Sequence, residues 1–226
     1  MEDRMERKIV IPGTLLGKAD TGKQGRGTFR EGDNIYSSRL GIVEERSGYI
    51  NVIPLSGVYD PAVGDAVIGV IEEASKMSWM VDIKAPYPAM LRVEEVPWRV
   101  EFGETARFLN TGEVIVANVS SINEAKNIEI SMRDKHCRKV EDGIIVEIQP
   151  SKVPRVIGKN GSMVSLLRQR TGCWIFVGQN GRVWIRGEDD KMALLVEAIK
   201  KIEKEAHTTG LTDKISKFLG NENESD

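Results

Sequence analysis

Residues 155–177 read RVIGKNGSMVSLLRQRTGCWIFV, in which Gly158 and Gly161 stand three positions apart. Glycine allows positive φ and lets another molecule approach the backbone closely. The apolar residues on either side have helical spacing, and Gly172 is well placed to end the second helix. We therefore predict two helices joined by a tight loop.

The surroundings of this loop are basic, although the chain of 226 residues has a formal net charge of −2. No acidic residue occurs between Pro150 and Gly187. The basic residues of that segment are Lys152, Arg155, Lys159, Arg168, Arg170, Arg182 and Arg186. Since the local field governs contact with phosphate, this pattern favours an anionic partner over an ordinary solvated surface.

A complete domain pattern surrounds the loop, over residues 137–206. GIIVEIQP predicts a strand, SKVPRVIG a short helix with Ser151 as its cap, and SMVSLLRQR a second helix. CWIFVGQNGRVWIRG predicts a hairpin that turns at residues 179–181, and EDDKMALLVEAIKKIEKEA predicts an amphipathic helix. This order of strand, helix, helix, strand, strand and helix, with the loop in place, resembles the KH domain, whose GXXG loop residues 158–161 match.

The KH resemblance implies a site for single-stranded RNA, because the GXXG loop holds about four nucleotides in such domains. The residues that it implies are Gly158, Lys159, Asn160, Gly161, Arg155, Arg168 and Lys152. The bases would lie on a floor drawn from Val156, Ile157, Val164, Leu167 and the edge of CWIFV. Two alternatives stay open: the loop is only a helix–helix turn, or Asn160 braces it against a neighbouring domain.

Residues 63–136 contain about five predicted strands and predict a closed OB-type barrel. The segment resembles the OB-fold RNA-binding domain first seen as a repeat in a large bacterial ribosomal protein. It has more acidic than basic residues, so we expect RNA contact only from a few side chains. The candidates are Arg92, Arg99, Arg107 and Lys126, with Tyr87 or Trp98 for stacking, and an ordinary surface or core role is equally open for each.

The two ends of the chain have different patterns. Residues 1–62 alternate short apolar strands with glycine turns, as in KIVIPGTLLG and GYINVIPLSG, and predict a small antiparallel β domain. Residues 207–226 end in GNENESD and predict a disordered tail. The alternative for the tail is a short helix that lies on a partner, formed by Leu211, Ile215, Phe218 and Leu219.

The segment RVWIR, residues 182–186, alternates apolar and basic residues. We expect one face of this strand to pack on the N-terminal module, with the arginines at its rim. The alternative is a second RNA-stacking stripe. We favour packing, because in a KH fold this face lies away from the nucleotide groove.

Several functional classes are excluded by the sequence. It contains no recognisable catalytic set of a nucleophile, a general base and a residue that orients the base, so we predict no enzyme. DKHC at residues 134–137 lacks further metal ligands at useful spacing, so we predict no metal site and no cofactor. No apolar run approaches the roughly 20 residues that span a bilayer. The charged segment 1–8 lacks the apolar core of a signal peptide, which predicts a cytoplasmic protein with Cys137 and Cys173 reduced.

The predicted architecture is multidomain, mostly β with an α+β part: an N-terminal β module, a five-stranded OB barrel and a KH domain. With VIPGTLLG, GRGTF, PLSGVYDPAVGDAVIGVI and VIGKNGSMV, it resembles the RNA-binding cap subunits of the archaeal exosome. The resemblance implies a non-catalytic subunit, three copies of which sit on a hexameric ring of RNase-PH-like subunits. The N-terminal module would dock onto the ring. The cap would feed RNA 3′ ends to the ring subunits. The alternative is an OB- and KH-containing transcription or translation factor.

Overall fold

The structure, a computed structural model, describes residues 8–20, 22–46, 48–208 and 210–220. The chain divides after Gly57 into two compact units. The predicted multidomain fold, mostly β with an α+β part, is confirmed. The predicted boundary at residue 62 lies inside the second unit, which begins at Val58. No helix in these described ranges is long and apolar enough to cross a membrane.

The N-terminal unit consists of short strands arranged in two sheets. One sheet has the order β1-β6-β7-β3 and the other the order β2-β5-β4. Ile35 and Val52 are buried at the centres of their strands, as the alternating pattern predicts. The strands are β1 Ile9–Val10, β2 Leu15–Lys18, β3 Lys23–Gln24, β4 Thr28–Glu31, β5 Asn34–Ser37, β6 Gly41–Arg46 and β7 Tyr49–Pro54.

Five strands of the second unit close into the predicted barrel. Their order is β12-β10-β9-β8-β11, and β11 pairs with β12 to complete the circuit. Gly69 leaves room for the side chain of Val81, because a Cβ at Gly69 would lie 2.4 Å from that side chain. The strands are β8 Ala66–Ala74, β9 Ser78–Asp82, β10 Ala89–Arg92, β11 Val114–Ile122 and β12 Ile128–Ser131.

A sixth strand, β13 Arg138–Val140, extends the barrel sheet along β11. The KH domain predicted over residues 137–206 includes this strand, which the structure joins to the barrel sheet. The connection between β10 and β11 carries a 3-10 turn, Val93–Glu95, and a short helix, α1 Thr105–Phe108. The barrel interior is apolar and includes Trp79, which is fully buried and donates its Nε1–H to Leu109 O at 3.0 Å.

The KH domain follows in the predicted order of elements. Its three-stranded antiparallel sheet has the order β14-β16-β15, and helices pack on one face around a core that includes Leu167 and Ile199. Ser151 does not cap the first helix; its Oγ is buried without a hydrogen-bond partner among the described residues. The elements are β14 Ile144–Glu147, 3-10 turn Pro150–Lys152, α2 Val153–Ile157, 3-10 turn Lys159–Gly161, α3 Ser162–Thr171, β15 Trp174–Val177, β16 Arg182–Arg186 and α4 Asp189–Lys204.

A fifth helix, α5 Leu211–Gly220, completes this core. Leu211, Ile215 and Leu219 are buried among residues of the KH core. Lys201 on α4 lies over the ring of Phe218, 5.4 Å from its centroid. The predicted disorder of residues 207–226 is therefore wrong for 211–220, because the apolar stripe finds its partner within the same chain; residues 221–226 lie outside the described ranges.

Candidate RNA-binding surface

The loop between α2 and α3 has the backbone geometry that its glycines predict. Gly158, Asn160 and Gly161 all have positive φ, of 75°, 51° and 78°. At Gly158 a side chain is excluded by contact as well, because a Cβ would lie 2.6 Å from the backbone nitrogen of Met163. The space around Gly161 is open, with no atom of the described residues within 4 Å of a Cβ built there.

The N-terminus of α3 points into this loop and is not capped by a side chain. Helix N-termini carry backbone N–H groups and a partial positive charge, which together favour phosphate. Lys159 and Asn160 are exposed beside it. The exposure of Asn160 argues against the alternative that its side chain braces the loop against a neighbouring domain.

The basic side chains of the acid-free segment divide into two groups. In the part of the chain that the structure describes, Lys152, Arg155 and Lys159 form no ion pair with a carboxylate. Arg168 is exposed but donates its Nη2–H to Ile175 O at 2.6 Å, so part of its guanidinium is engaged within the fold. Three cations without a competing carboxylate therefore lie on the segment that carries the loop.

The predicted apolar floor is only partly available. Val156 and Leu167 are fully buried in the KH core and cannot contact a base. Ile157, Val164 and Val177 are half-buried and lie on α2, α3 and β15, the elements that flank the loop. The floor is therefore narrower than predicted.

The three arginines that the sequence predicts as RNA contacts of the barrel differ in whether they already pair with a carboxylate. Arg92 donates to Glu129 Oε1 from Nε at 3.0 Å and from Nη2 at 2.8 Å, and this hydrogen bond lowers the pKa of Glu129 below its usual range. Arg107 pairs with Glu104 at 2.5 Å, and Arg99 is exposed. The structure therefore gives two of the three predicted barrel arginines an acidic partner of their own.

The two aromatic residues predicted to stack on RNA bases differ in their exposure to solvent. Tyr87 has 56% of its surface exposed, whereas Trp98 is half-buried and stacks on Phe108 with ring centroids 6.0 Å apart. Lys126 is exposed in the turn between β11 and β12. Tyr87 and Lys126 remain candidates for RNA contact, while Trp98 has a packing role.

A second glycine loop of similar sequence serves a different purpose. Residues 178–181 read GQNG and form the turn of the KH hairpin. Asn180 is fully buried against the barrel, where its Nδ2 donates to Ile68 O at 2.7 Å and to Ile83 O at 3.0 Å. Its Oδ1 accepts from Ile68 N at 3.3 Å. This turn joins the KH domain to the barrel.

A buried arginine reinforces the same junction. Arg182 donates to Asp82 O at 2.7 Å and pairs with the Asp82 carboxylate at 2.5 Å. Arg182 also pairs with the Glu147 carboxylate at 3.4 Å. Burial alone raises the pKa of Asp82, but the hydrogen bonds from Arg182 and from Lys84 N outweigh burial and hold this pKa below its usual range. The hydrogen bond from Lys84 lowers the pKa of Glu147 in the same way.

The strand RVWIR, for which the sequence predicts packing on the N-terminal module, packs on the barrel. Trp184 is buried against Ile68 and Val116 of the barrel. Arg182 is at the centre of this junction, with 7% of its surface exposed, whereas Arg186 is at the rim and pairs with Asp142 at 3.4 Å. This junction is not predicted from the sequence, although the repeated Gly-X-Asn-Gly pattern signals a second specialised turn.

Family models match each part of the chain in turn. Residues 7–56 match the N-terminal domain of the exosome RNA-binding protein Rrp4, residues 58–121 match the Rrp4 S1 domain, and residues 143–191 match a KH domain. The exosome complex component Rrp4 of Methanosarcina mazei is 48% identical over 218 residues, covering 96% of this chain and 84% of the relative. The chain belongs to the Rrp4 family.

Further relatives and a solved structure agree. The Rrp4 of Thermococcus kodakarensis is 46% identical over 94% of this chain and 85% of its own length. A crystal structure of a protein described as an exosome complex RNA-binding protein superimposes with a TM-score of 0.68 at 38% identity, covering 74% of this chain and 98% of that one. The family prediction is thereby confirmed, and we assign the chain as a non-catalytic exosome component.

Proposed function

We propose that this member of the Rrp4 family is an RNA-binding cap of an exosome in the cytoplasm. In this proposal three copies sit on a hexameric ring of RNase-PH-like subunits, with the N-terminal unit docked on the ring. The cap captures single-stranded RNA and delivers its 3′ end to the ring for degradation. The chain itself contributes binding and positioning, and the ring supplies the chemistry.

The observation that carries the RNA part of this proposal is the loop at residues 158–161. Its backbone is open at Gly161, an uncapped helix N-terminus faces it, and Lys159 is exposed without an acidic partner in the described ranges. Each of these features favours phosphate, and together they match the way in which KH domains hold nucleotides. The residues assigned to RNA are therefore the loop itself with Arg155 and Lys152, and with Arg168 in a lesser role.

The barrel has a supporting role in this proposal. Its exposed Arg99, Tyr87 and Lys126 can meet the RNA backbone and bases, whereas Arg92 and Arg107 must first give up their carboxylate partners. The junction at Asn180 holds the barrel and the KH domain together. RNA bound by the loop would thus extend over a surface of fixed geometry.

Native mass spectrometry of the complex recovered from the source cells tests the assembly. We expect a mass that contains three copies of this chain and six ring subunits. Recovery of the chain with RNA polymerase or ribosomes, and without a ring, would contradict the cap proposal and favour a regulatory factor with the same domains. A variant that lacks residues 1–57 is the matched control, because it should lose the ring and keep its affinity for RNA.

A further inference from the structure

One group of metal-ligating side chains comes together in the described part of the chain, away from the RNA-binding loop. The ligand atoms of Asp134, His136 and Cys137 all lie within 4.8 Å of one another. They occupy the turn between β12 and β13, where Cys137 N donates to Asp134 O at 2.9 Å and folds the segment back on itself. A single short turn therefore gathers an oxygen, a nitrogen and a sulfur ligand.

Asn118, on the adjacent strand β11, holds two of these three side chains. Its Nδ2 donates to the carboxylate of Asp134, and its Oδ1 lies 2.8 Å from Nε2 of His136. Metal-binding imidazoles and carboxylates are commonly oriented by hydrogen bonds of this kind from residues behind them. A side chain of the neighbouring strand thus orders the cluster. Exposed side chains that meet by chance would not be held by such hydrogen bonds.

We propose that Asp134, His136 and Cys137 form a binding site for a divalent transition-metal ion of the Zn²⁺ type. One sulfur, one nitrogen and one carboxylate oxygen suit this class of ion, whereas Mg²⁺ and Ca²⁺ require oxygen ligands throughout. The fourth position of a tetrahedral ion is left to water. On binding, the thiol of Cys137 releases its proton to solvent, and the sulfur binds the metal as a thiolate.

The position of the turn indicates what such an ion would do. The ring of His136 stacks on Phe176 of the KH strand β15, with centroids 6.3 Å apart and planes 20° apart. Cys137 packs against the apolar interior of the barrel. A metal that binds both residues would connect the last barrel segment to the KH sheet, and would stabilise the same junction that Asn180 and Arg182 hold.

A cobalt titration of the untagged full-length chain tests this site, because Co²⁺ takes the place of Zn²⁺ and a bound thiolate gives a charge-transfer absorption band. We expect one Co²⁺ per chain with this band, and its displacement by added Zn²⁺. Cys137→Ser should abolish the band. Cys173→Ser is the matched control and should keep it, because Cys173 is buried in the KH core, outside the cluster.

Two further variants keep the test decisive if Cys137→Ser folds poorly. His136 is exposed, so His136→Ala should fold normally and lose binding at stoichiometric cobalt. Asn118→Ala should weaken binding about tenfold through loss of orientation alone. Absence of cobalt binding, binding without a thiolate band, or a band that survives Cys137→Ser would each overturn the proposal.

Discussion

Two loops of the KH domain share the pattern Gly-X-Asn-Gly, at residues 158–161 and 178–181, but their asparagines lie in opposite environments. In the first, the asparagine is exposed and takes positive φ in the 3-10 turn that precedes α3. In the second, the asparagine is fully buried and makes three hydrogen bonds to backbone atoms of the barrel. The same four-residue pattern thus forms the proposed phosphate-binding loop in one place and a domain junction in the other.

The difference comes from what surrounds each loop. Residues 158–161 join two helices and present a helix N-terminus to solvent, with Lys159 beside it. Residues 178–181 join two strands, and a Cβ at Gly178 would lie 3.1 Å from Ile68 N, so that the turn fits closely against the barrel. Glycine permits close approach in both loops; the approaching group is proposed to be phosphate in one and is the backbone of the neighbouring domain in the other.

Removal of the buried asparagine should have the largest effect on stability. Asn180→Gly leaves the backbone groups of Ile68 and Ile83 buried without their partners, and each such loss costs about 1–3 kcal/mol. We expect the second unit to lose about 3 kcal/mol of unfolding free energy. Tryptophan fluorescence during denaturation measures this unit alone, because all four tryptophans of the chain follow Gly57.

The same substitution in the first loop is the control. Asn160→Gly should change the unfolding free energy by no more than about 0.5 kcal/mol, because the side chain is exposed and glycine accepts a φ of 51°. Equal losses from the two variants would show that the loops do not differ as the structure indicates.

Acid should weaken the junction at Arg182. Asp82 and Glu147 have lowered pKa values, so their stabilising contribution is present above their usual pKa values and is lost as the pH falls through the lowered ones. We expect a loss of about 1 kcal/mol from this source below pH 4, since solvent screens both partly exposed carboxylates.

Arg182→Met isolates the part of this contribution that depends on Arg182, and leaves the pairing of Glu147 with Lys84 in place. The variant removes the cation and should flatten the pH dependence of thermal unfolding between pH 6 and the acid range, followed by tryptophan fluorescence. An unchanged slope in the variant would assign the acid sensitivity to other carboxylates, such as Glu113. Burial raises the pKa of Glu113, but the hydrogen bonds from Lys139 and from Asn110 N outweigh it and lower this pKa.

The smallest effect is expected from a single cation at the exposed loop. Lys159→Ala should weaken binding of single-stranded RNA about threefold at low salt and reduce the slope of log affinity against log salt by about 0.7, because one phosphate contact is lost. Arg186→Ala is the matched change outside the loop and should leave both quantities unchanged, since Arg186 already pairs with Asp142. Fluorescence anisotropy at several salt concentrations measures both.

Much of the fold could be predicted because local pattern and global fold agree. Gly172 ends α3 with a φ of 68°, and the apolar spacing of α4 matches its buried face, so each boundary followed from chemistry within a few residues. The same holds for the loop at 158–161, whose positive φ values follow from its residues.

The errors concern contacts between distant parts of the chain. The burial of Arg182 depends on Asp82, which is a hundred residues away, and no local pattern contains that pairing. The stripe of Leu211, Ile215 and Leu219 indicated a helix, but the sequence did not indicate that its partner is the KH core of the same chain. Periodicity predicts that a face is buried, and only tertiary structure identifies what covers it.

The affinity of the full-length chain for single-stranded RNA, compared between Gly161→Asp and Gly161→Asn, tests the central assignment most directly. Both residues accept the left-handed conformation at φ 78°, and the space for a side chain is open, so the two variants differ in one negative charge. We predict that the aspartate variant binds at least about tenfold more weakly than the asparagine variant at low salt, with the gap closing as salt rises. Equal affinities for the two variants would contradict the assignment of residues 158–161 as the phosphate-binding loop.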